Sequence, residues 1–377
     1  MQVKSTSQRV IRNMIDIPTN TASEENDKDT IEFRGTLAIG VGRYGGTIVG
    51  TTQTNKSIYW RDGSPPTTRE MGFLPGGTYA RVAAVSDNGR IAVGSGDTTG
   101  GVVRAFYWRK DETPEMEALK IPAGYTSSRA AHSEYTGNIV VGHGVHNGTT
   151  KALYWVRNTI YPAQELRAPQ ESLGCSAIGI NGDYGSGSIV VGYCVLSNHR
   201  TRAIFWRPRT TFTEAITLEG LEEHSNTLAY AVSGNGNVIV GTSFNPGANI
   251  QHAVRWTRNS ETNTFNISNL NVNPEPPQNT YAHAYGVSHD GTIIVGGCSF
   301  YGHTDYTREA FIWREDATPQ VQKLVDITQG YKNSAAYDVV KKTDGTILAV
   351  GQSVYRNGSQ AAVRWNNLAI DNLNFPS

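Results

Sequence analysis

Short apolar runs, each closed by a glycine, punctuate an otherwise polar chain. They are TIVG ending at Gly50, IAVG at Gly94, IVVG at Gly142 and at Gly192, VIVG at Gly241, TIIVG at Gly296 and ILAVG at Gly351. Their residues are mostly β-branched and show no polar alternation, so each run predicts a strand covered on both faces. Four runs follow an Asn-Gly or Asp-Gly pair: Asn88-Gly89, Asn235-Gly236, Asp290-Gly291 and Asp344-Gly345. Such pairs reach the positive φ values that tight hairpins need.

Tryptophan keeps the same beat. All seven, at 60, 108, 155, 206, 256, 313 and 365, follow a run, with gaps of 48, 47, 51, 50, 57 and 52 residues. The chain is therefore one repeated unit of about fifty residues. Each copy reads as four strands. The first is a small-residue segment such as Ala83-Ala84-Val85-Ser86, Tyr230-Ala231-Val232-Ser233 or Tyr285-Gly286-Val287-Ser288. The second is the apolar run. The third carries Ala and Trp, as in Ala105 to Trp108 and Ala310 to Trp313. A weaker fourth follows, as in Met116 to Ile121 and Val321 to Leu324. No segment has a helical period.

Strands buried on both faces need a sheet on either side, and radial repetition of small sheets supplies one. The expectation is an all-β fold, a seven-bladed β-propeller of four-stranded antiparallel blades over 31–377, with 1–30 as an N-terminal extension. The first strand should line the axis, because its small residues (Gly40, Ala84, Ala131, Gly179, Ala231, Gly286) suit the narrow end of a wedge. The indoles then fill the wide end. Leu368 to Phe375 reads as the fourth strand of the last blade. Val10 to Pro18 reads as another fourth strand lying across the seam, since Met14-Ile15-Asp16-Ile17-Pro18 echoes Ala118-Leu119-Lys120-Ile121-Pro122.

Composition narrows the function. Lys plus Arg and Asp plus Glu are both 33, so the broad positive field of a nucleic-acid binder is missing and no nucleic-acid partner is expected. No stretch has the length of a membrane span. Met1 to Thr30 is polar, without the apolar centre of a signal peptide. The three cysteines, 175, 194 and 298, read as buried thiols, with a Cys175–Cys194 bond across a hairpin as the alternative.

The unit S-x-[DN]-G-x-x-x-V-G, followed by [HRK]-A-[FV]-x-W, resembles the bacterial HAF repeat, a probable extracellular repeat. His252-Ala253-Val254 and Arg104-Ala105-Phe106 stand at its His-Ala-Phe signature. The resemblance covers about residues 31 to 370. It implies the fold and an exported or surface role, and it carries no shared activity.

Candidate chemistry gathers on one face, formed by the loops between strands two and three and between blades. Those loops hold His143, His146, His199, His252, Tyr301, His303, Tyr306 and Tyr355, and also Tyr79, Tyr125, Tyr281 and Tyr331. Aromatic, amphipathic side chains on loops suit recognition, so the expected role is a monomeric, non-catalytic scaffold that binds a protein or a glycan. His143 with His146, and His303 with Asp305, lack a third ligand at a zinc-like spacing, so neither a metal nor another cofactor is expected. A basic band at Arg104, Lys151 and Arg202, and at Arg61, Arg109, Arg207 and Arg314, reads as edge protection and stacking. The alternatives are a carbohydrate-active hydrolase or lyase at a channel mouth, and a passive module of a surface assembly.

Overall fold

Each apolar run sits second in an antiparallel set of four strands. The computed structural model describes residues 37–373 apart from 64–65, 111–115, 158, 160, 182–187, 208–214, 248–249, 273–279, 301–307, 319, 327–332 and 356–358. Among the described residues there are 28 strands and no helix. In chain order the sets span 37–70, 80–118, 125–165, 172–217, 226–269, 280–323 and 334–372. Within each, strands pair in sequence order. A single parallel bridge, Gln251 to Tyr281, joins the third strand of the fifth set to the first strand of the sixth. The closing segment does form the last fourth strand, Ala369–Asn372, on Gln360–Asn366. The proposed seam strand at Val10 to Pro18 lies outside the described residues.

The first strand of each set carries a one-residue slip against the second. Ala229 faces Gly241 and Ala231 faces Val240, leaving Tyr230 extra; Ala284, Tyr285 and Gly286 repeat the pattern on Gly296 and Val295. This bulge explains the glycine that ends each run. A Cβ on Gly192 or Gly241 would overlap the carbonyl oxygen of Ser176 or Leu228, and backbone cannot give way. The residue after the bulge faces the next set. A Cβ on Gly286 would lie 2.7 Å from the Tyr337 oxygen and 2.9 Å from the Asp338 Cα, so first strands approach closely there and small residues are needed.

One placement needs correction. Ala131 was grouped with Gly40 and Ala84, but Ala130 faces Gly142 and His132 faces Val141, so Ala131 is the bulge and His132 takes the small-residue position. In the last set that position is Asp338.

The indoles fill the wedges as expected. Trp108, Trp206, Trp256 and Trp365 are among the largest fully buried side chains. Trp155, Trp206, Trp256 and Trp365 each donate Nε1–H at 2.8 Å to a carbonyl at the end of the preceding set: Lys120, Arg167, Glu219 and Val325. The same geometry four times over is a clasp between neighbours. The first and last sets also meet, because Ala38, Val41, Ile48 and Trp60 share one core with Val340, Leu348, Val350 and Ala362.

The hairpin turns repeat a small network. Ser233 Oγ donates to Asn235 Oδ1 (2.7 Å) and accepts the Val238 amide (3.0 Å), while Gly236 takes φ 72°. Ser288, Asp290 and Ile293 do the same around Gly291 at φ 81°. The Ser-x-Asx-Gly motif is thereby accounted for by backbone geometry.

The sulfurs depart from the favoured reading. Cys175 and Cys194 face each other directly in register, with Cα atoms 4.1 Å apart, and they are bonded. Direct opposition on neighbouring strands brings the two Cβ atoms within bonding reach. Cys298 is a buried thiol that donates to the Glu309 carbonyl (3.6 Å).

Candidate functional site

The first strands of all the sets border one cavity of about 420 Å³. Bulge residues are among its lining. In the first four sets they are Ile39, Ala83, Ala131 and Ile178; in the last three they are Tyr230, Tyr285 and Tyr337. The tyrosine rings follow one another along the wall, with Tyr230–Tyr285 and Tyr285–Tyr337 centroids both 5.5 Å apart. His283 stacks on Tyr285 at 5.5 Å with ring planes 6° apart. The aromatic shelf thus exists because the bulge turns an extra side chain out of the sheet in each set, and three consecutive copies place a tyrosine there.

The third set contributes His132, His143 and Arg129 to the same cavity. His143 was grouped with the loops, yet it is a strand residue paired with Ala152 and Arg129. Burial lowers His132 and His143 to about 4, and the Arg129 charge adds to the effect at His143. Burial lowers His283 further, to about 3, with a contribution from Arg308. All three imidazoles are neutral at pH 7. Arg129 Nη1 donates to the Ser95 hydroxyl at 3.3 Å. Arg81 donates to Asn55 (3.0 Å). Residues of this lining carry buried polar atoms with no partner among the described residues: Nδ1 of His132, His143 and His283, and the hydroxyls of Thr51 and Tyr230. Groups of that kind cost free energy unless water or a ligand meets them.

Acidic groups lie toward the hairpin-turn end, at Asp87 and Asp338. Asp338 sits in the seam, accepting the Val41 amide across it (2.9 Å) and its neighbour's amide from Val339 (2.8 Å). Burial raises this carboxyl to about 7, against the pull of those two amides.

Apart from His143, none of the described residues singled out on the loop face lines the cavity. The structure instead joins some of them in pairs. Tyr125 is buried, donates to Glu165 and stacks on His146 at 5.0 Å. Burial, then the Glu165 hydrogen bond, raises its phenol. His252 stacks on His224 at 5.2 Å, and burial followed by the His224 charge lowers it. Tyr79 and Tyr281 are half-buried, Tyr355 packs on the core of the last two sets, and His199 is exposed at a turn with φ 60°. Tyr301, His303, Tyr306 and Tyr331 lie outside the described residues. The basic band is engaged locally: Arg104 donates to the Thr126 carbonyl (2.9 Å), Arg109 pairs with Glu117 (3.6 Å), and Arg207 lies over Phe205 (5.4 Å).

In the sequence Tyr230 and Tyr285 read as first-strand residues without a role, and Tyr337 is not singled out. Their signal was the change from aliphatic to aromatic at one repeat position, visible only once the bulge fixes the register.

No family model matches the chain, and no curated protein matches it. Solved structures do. The β-propeller domain of Cps50 (Swd1) from Myceliophteria thermophila is 10% identical with a TM-score of 0.50, over 85% of this chain and 94% of that one. A structure from a study of two prolyl endopeptidases is 11% identical with a TM-score of 0.57, over 92% of this chain and 51% of that one. AofleA from Arthrobotrys oligospora is 11% identical with a TM-score of 0.44, over 92% and 88%. At this identity the likeness to the Cps50 domain defines a fold, and with the four-stranded antiparallel sets it makes the chain a β-propeller. No helix among the described residues is long and apolar enough to cross a membrane.

Proposed function

We propose that the chain is a seven-bladed propeller of HAF-type repeats, closed into a ring, that works as a non-catalytic binding module for a glycan or protein partner. Closure is supported by the core shared between the first and last sets and by a cavity bordered by every first strand. The observation that carries the binding role is the aromatic shelf beside unpartnered, buried polar atoms. A rigid wall with unmet hydrogen-bonding groups is pre-organised for a ligand and loses little entropy on binding it. The His/Tyr loop face then acts as the rim around that site.

Retention of the protein on an immobilised glycan and peptide panel tests this. Exchanging Tyr285→Leu and Tyr337→Leu together should reduce retention at least tenfold while the thermal transition stays cooperative. Unchanged retention by a folded variant overturns the reading.

One observation favours an enzyme instead. A carboxyl held near 7, as at Asp338, can deliver a proton at neutral pH. Product release from the same panel, lost in Asp338→Asn, would replace binding with hydrolysis.

A further inference from the structure

The channel wall is chemically lopsided, and the imbalance says what fits. Arg81, Arg129 and Arg308 line the end where first strands begin, whereas toward the hairpin turns the acids Asp87 and Asp338 are mixed with Arg43 and Lys341. Arg129 meets a hydroxyl at Ser95, not a carboxylate. The shelf of Tyr230, Tyr285 and Tyr337 belongs to the last three sets, away from Arg129 in the third. His143, paired in register with Arg129, and His283 and Tyr230, which pack with Tyr285, line the same cavity and carry unpartnered Nδ1 and hydroxyl atoms.

We propose that this cavity takes a hexuronate, a pyranose ring carrying one carboxylate, either free or as one residue of an acidic glycan. The inference rests on the binding-module reading and gives it a ligand class. Each part of such a ligand has a counterpart on the wall. The C–H face of a pyranose packs on tyrosine rings, as aromatic faces take up apolar surface. Its hydroxyls satisfy the neutral imidazoles and the phenol, which can each donate or accept. Its carboxylate matches the planar fork of Arg129. A phosphate dianion suits the wall less well, because the histidines that would add positive charge are held neutral by burial. The cavity volume of about 420 Å³ lies within the span usual for small-molecule sites.

The test is a titration of the full chain at pH 7 with glucuronic acid, with glucose and with inorganic phosphate, followed by calorimetry and ligand-observed NMR. Glucuronic acid should bind at least tenfold tighter than glucose, and phosphate should fail to displace it. Arg129→Gln should erase the difference between the two sugars, and Arg129→Lys, which keeps charge but loses the fork, should fall between. Tyr285→Leu should weaken both sugars alike. Circular dichroism of each variant checks the fold, and Arg129→Lys serves if Arg129→Gln does not fold. Equal binding of glucose and glucuronic acid, full displacement by phosphate, no effect of Arg129→Gln, or no sugar binding at all would each overturn the proposal. If the panel still retains the protein through neutral glycans or peptides in a shelf-dependent way, the uronate assignment fails alone. If shelf variants change nothing on the panel, the binding-module reading fails with it.

Discussion

The wedge between blades and the wall of the channel are built by the same repeat, yet they treat it in opposite ways. In the wedge the copies agree: an indole, buried, donating at 2.8 Å to the preceding set in four cases. On the channel wall they diverge, from Ile39 and Ala83 to Tyr230, Tyr285 and Tyr337, with His132 and Asp338 where other sets carry glycine or alanine. Positions that repeat are those the architecture requires of every blade. Positions that break the repeat are free of that demand, and there a site can be specialised.

The wedge is where substitution should cost most. Trp256→Ala removes a fully buried ring and its clasp to Glu219, and should cost about 3–5 kcal/mol in denaturant unfolding. Trp108 is as deeply buried, but its Nε1 has no partner among the described residues. Trp108→Ala should therefore cost about 1 kcal/mol less, the value of one net hydrogen bond. Equal losses at the two sites would show that the clasp adds nothing to packing.

The seam combines both behaviours, since Asp338 departs from the repeat and yet holds two blades together. Its carboxyl stands at about 7, against 3.8 for an ordinary aspartate, so the folded chain binds that proton more tightly than the unfolded one. The resulting stabilisation is complete below about pH 4 and is lost as pH rises through 7. Between pH 5 and 8 the protein should lose on the order of 2 kcal/mol, allowing for screening by water in the channel. Asp338→Asn keeps an acceptor for the Val41 amide and should flatten that slope. A slope that survives in the variant assigns the titration to another group.

How much of this could be read from residues follows the same division. The tryptophans, the glycine-closed runs and the Ser-x-Asx-Gly turns announced four-stranded sets because sterics forces one residue type at each place. The bulge could not be read, since one extra residue leaves composition unchanged while turning side chains to another direction. Ala131 therefore reads as the position that His132 holds, Tyr230 and Tyr285 read as ordinary strand residues, and Tyr337 does not stand out. The loop-face aromatics stood out by type alone, but type does not say that Tyr125 spends its hydroxyl on Glu165 or that His252 lies against His224. The sulfur bond also depended on register, in which Cys175 and Cys194 stand directly opposed.

The smallest effect gives the sharpest separation of wall from wedge. The Tyr230 hydroxyl is buried and unpartnered, and burial, first of all, raises its phenol well above the ordinary value. Removing an unsatisfied polar atom without changing shape is close to neutral or slightly stabilising. Tyr230→Phe should thus shift the unfolding free energy by less than about 0.5 kcal/mol, or raise it. If the wall is a site, the same variant should weaken ligand retention severalfold, because the ligand loses the hydroxyl that met it. A variant that loses stability instead would mean that the hydroxyl is satisfied by the fold, and Tyr230 would then belong with the tryptophans as architecture.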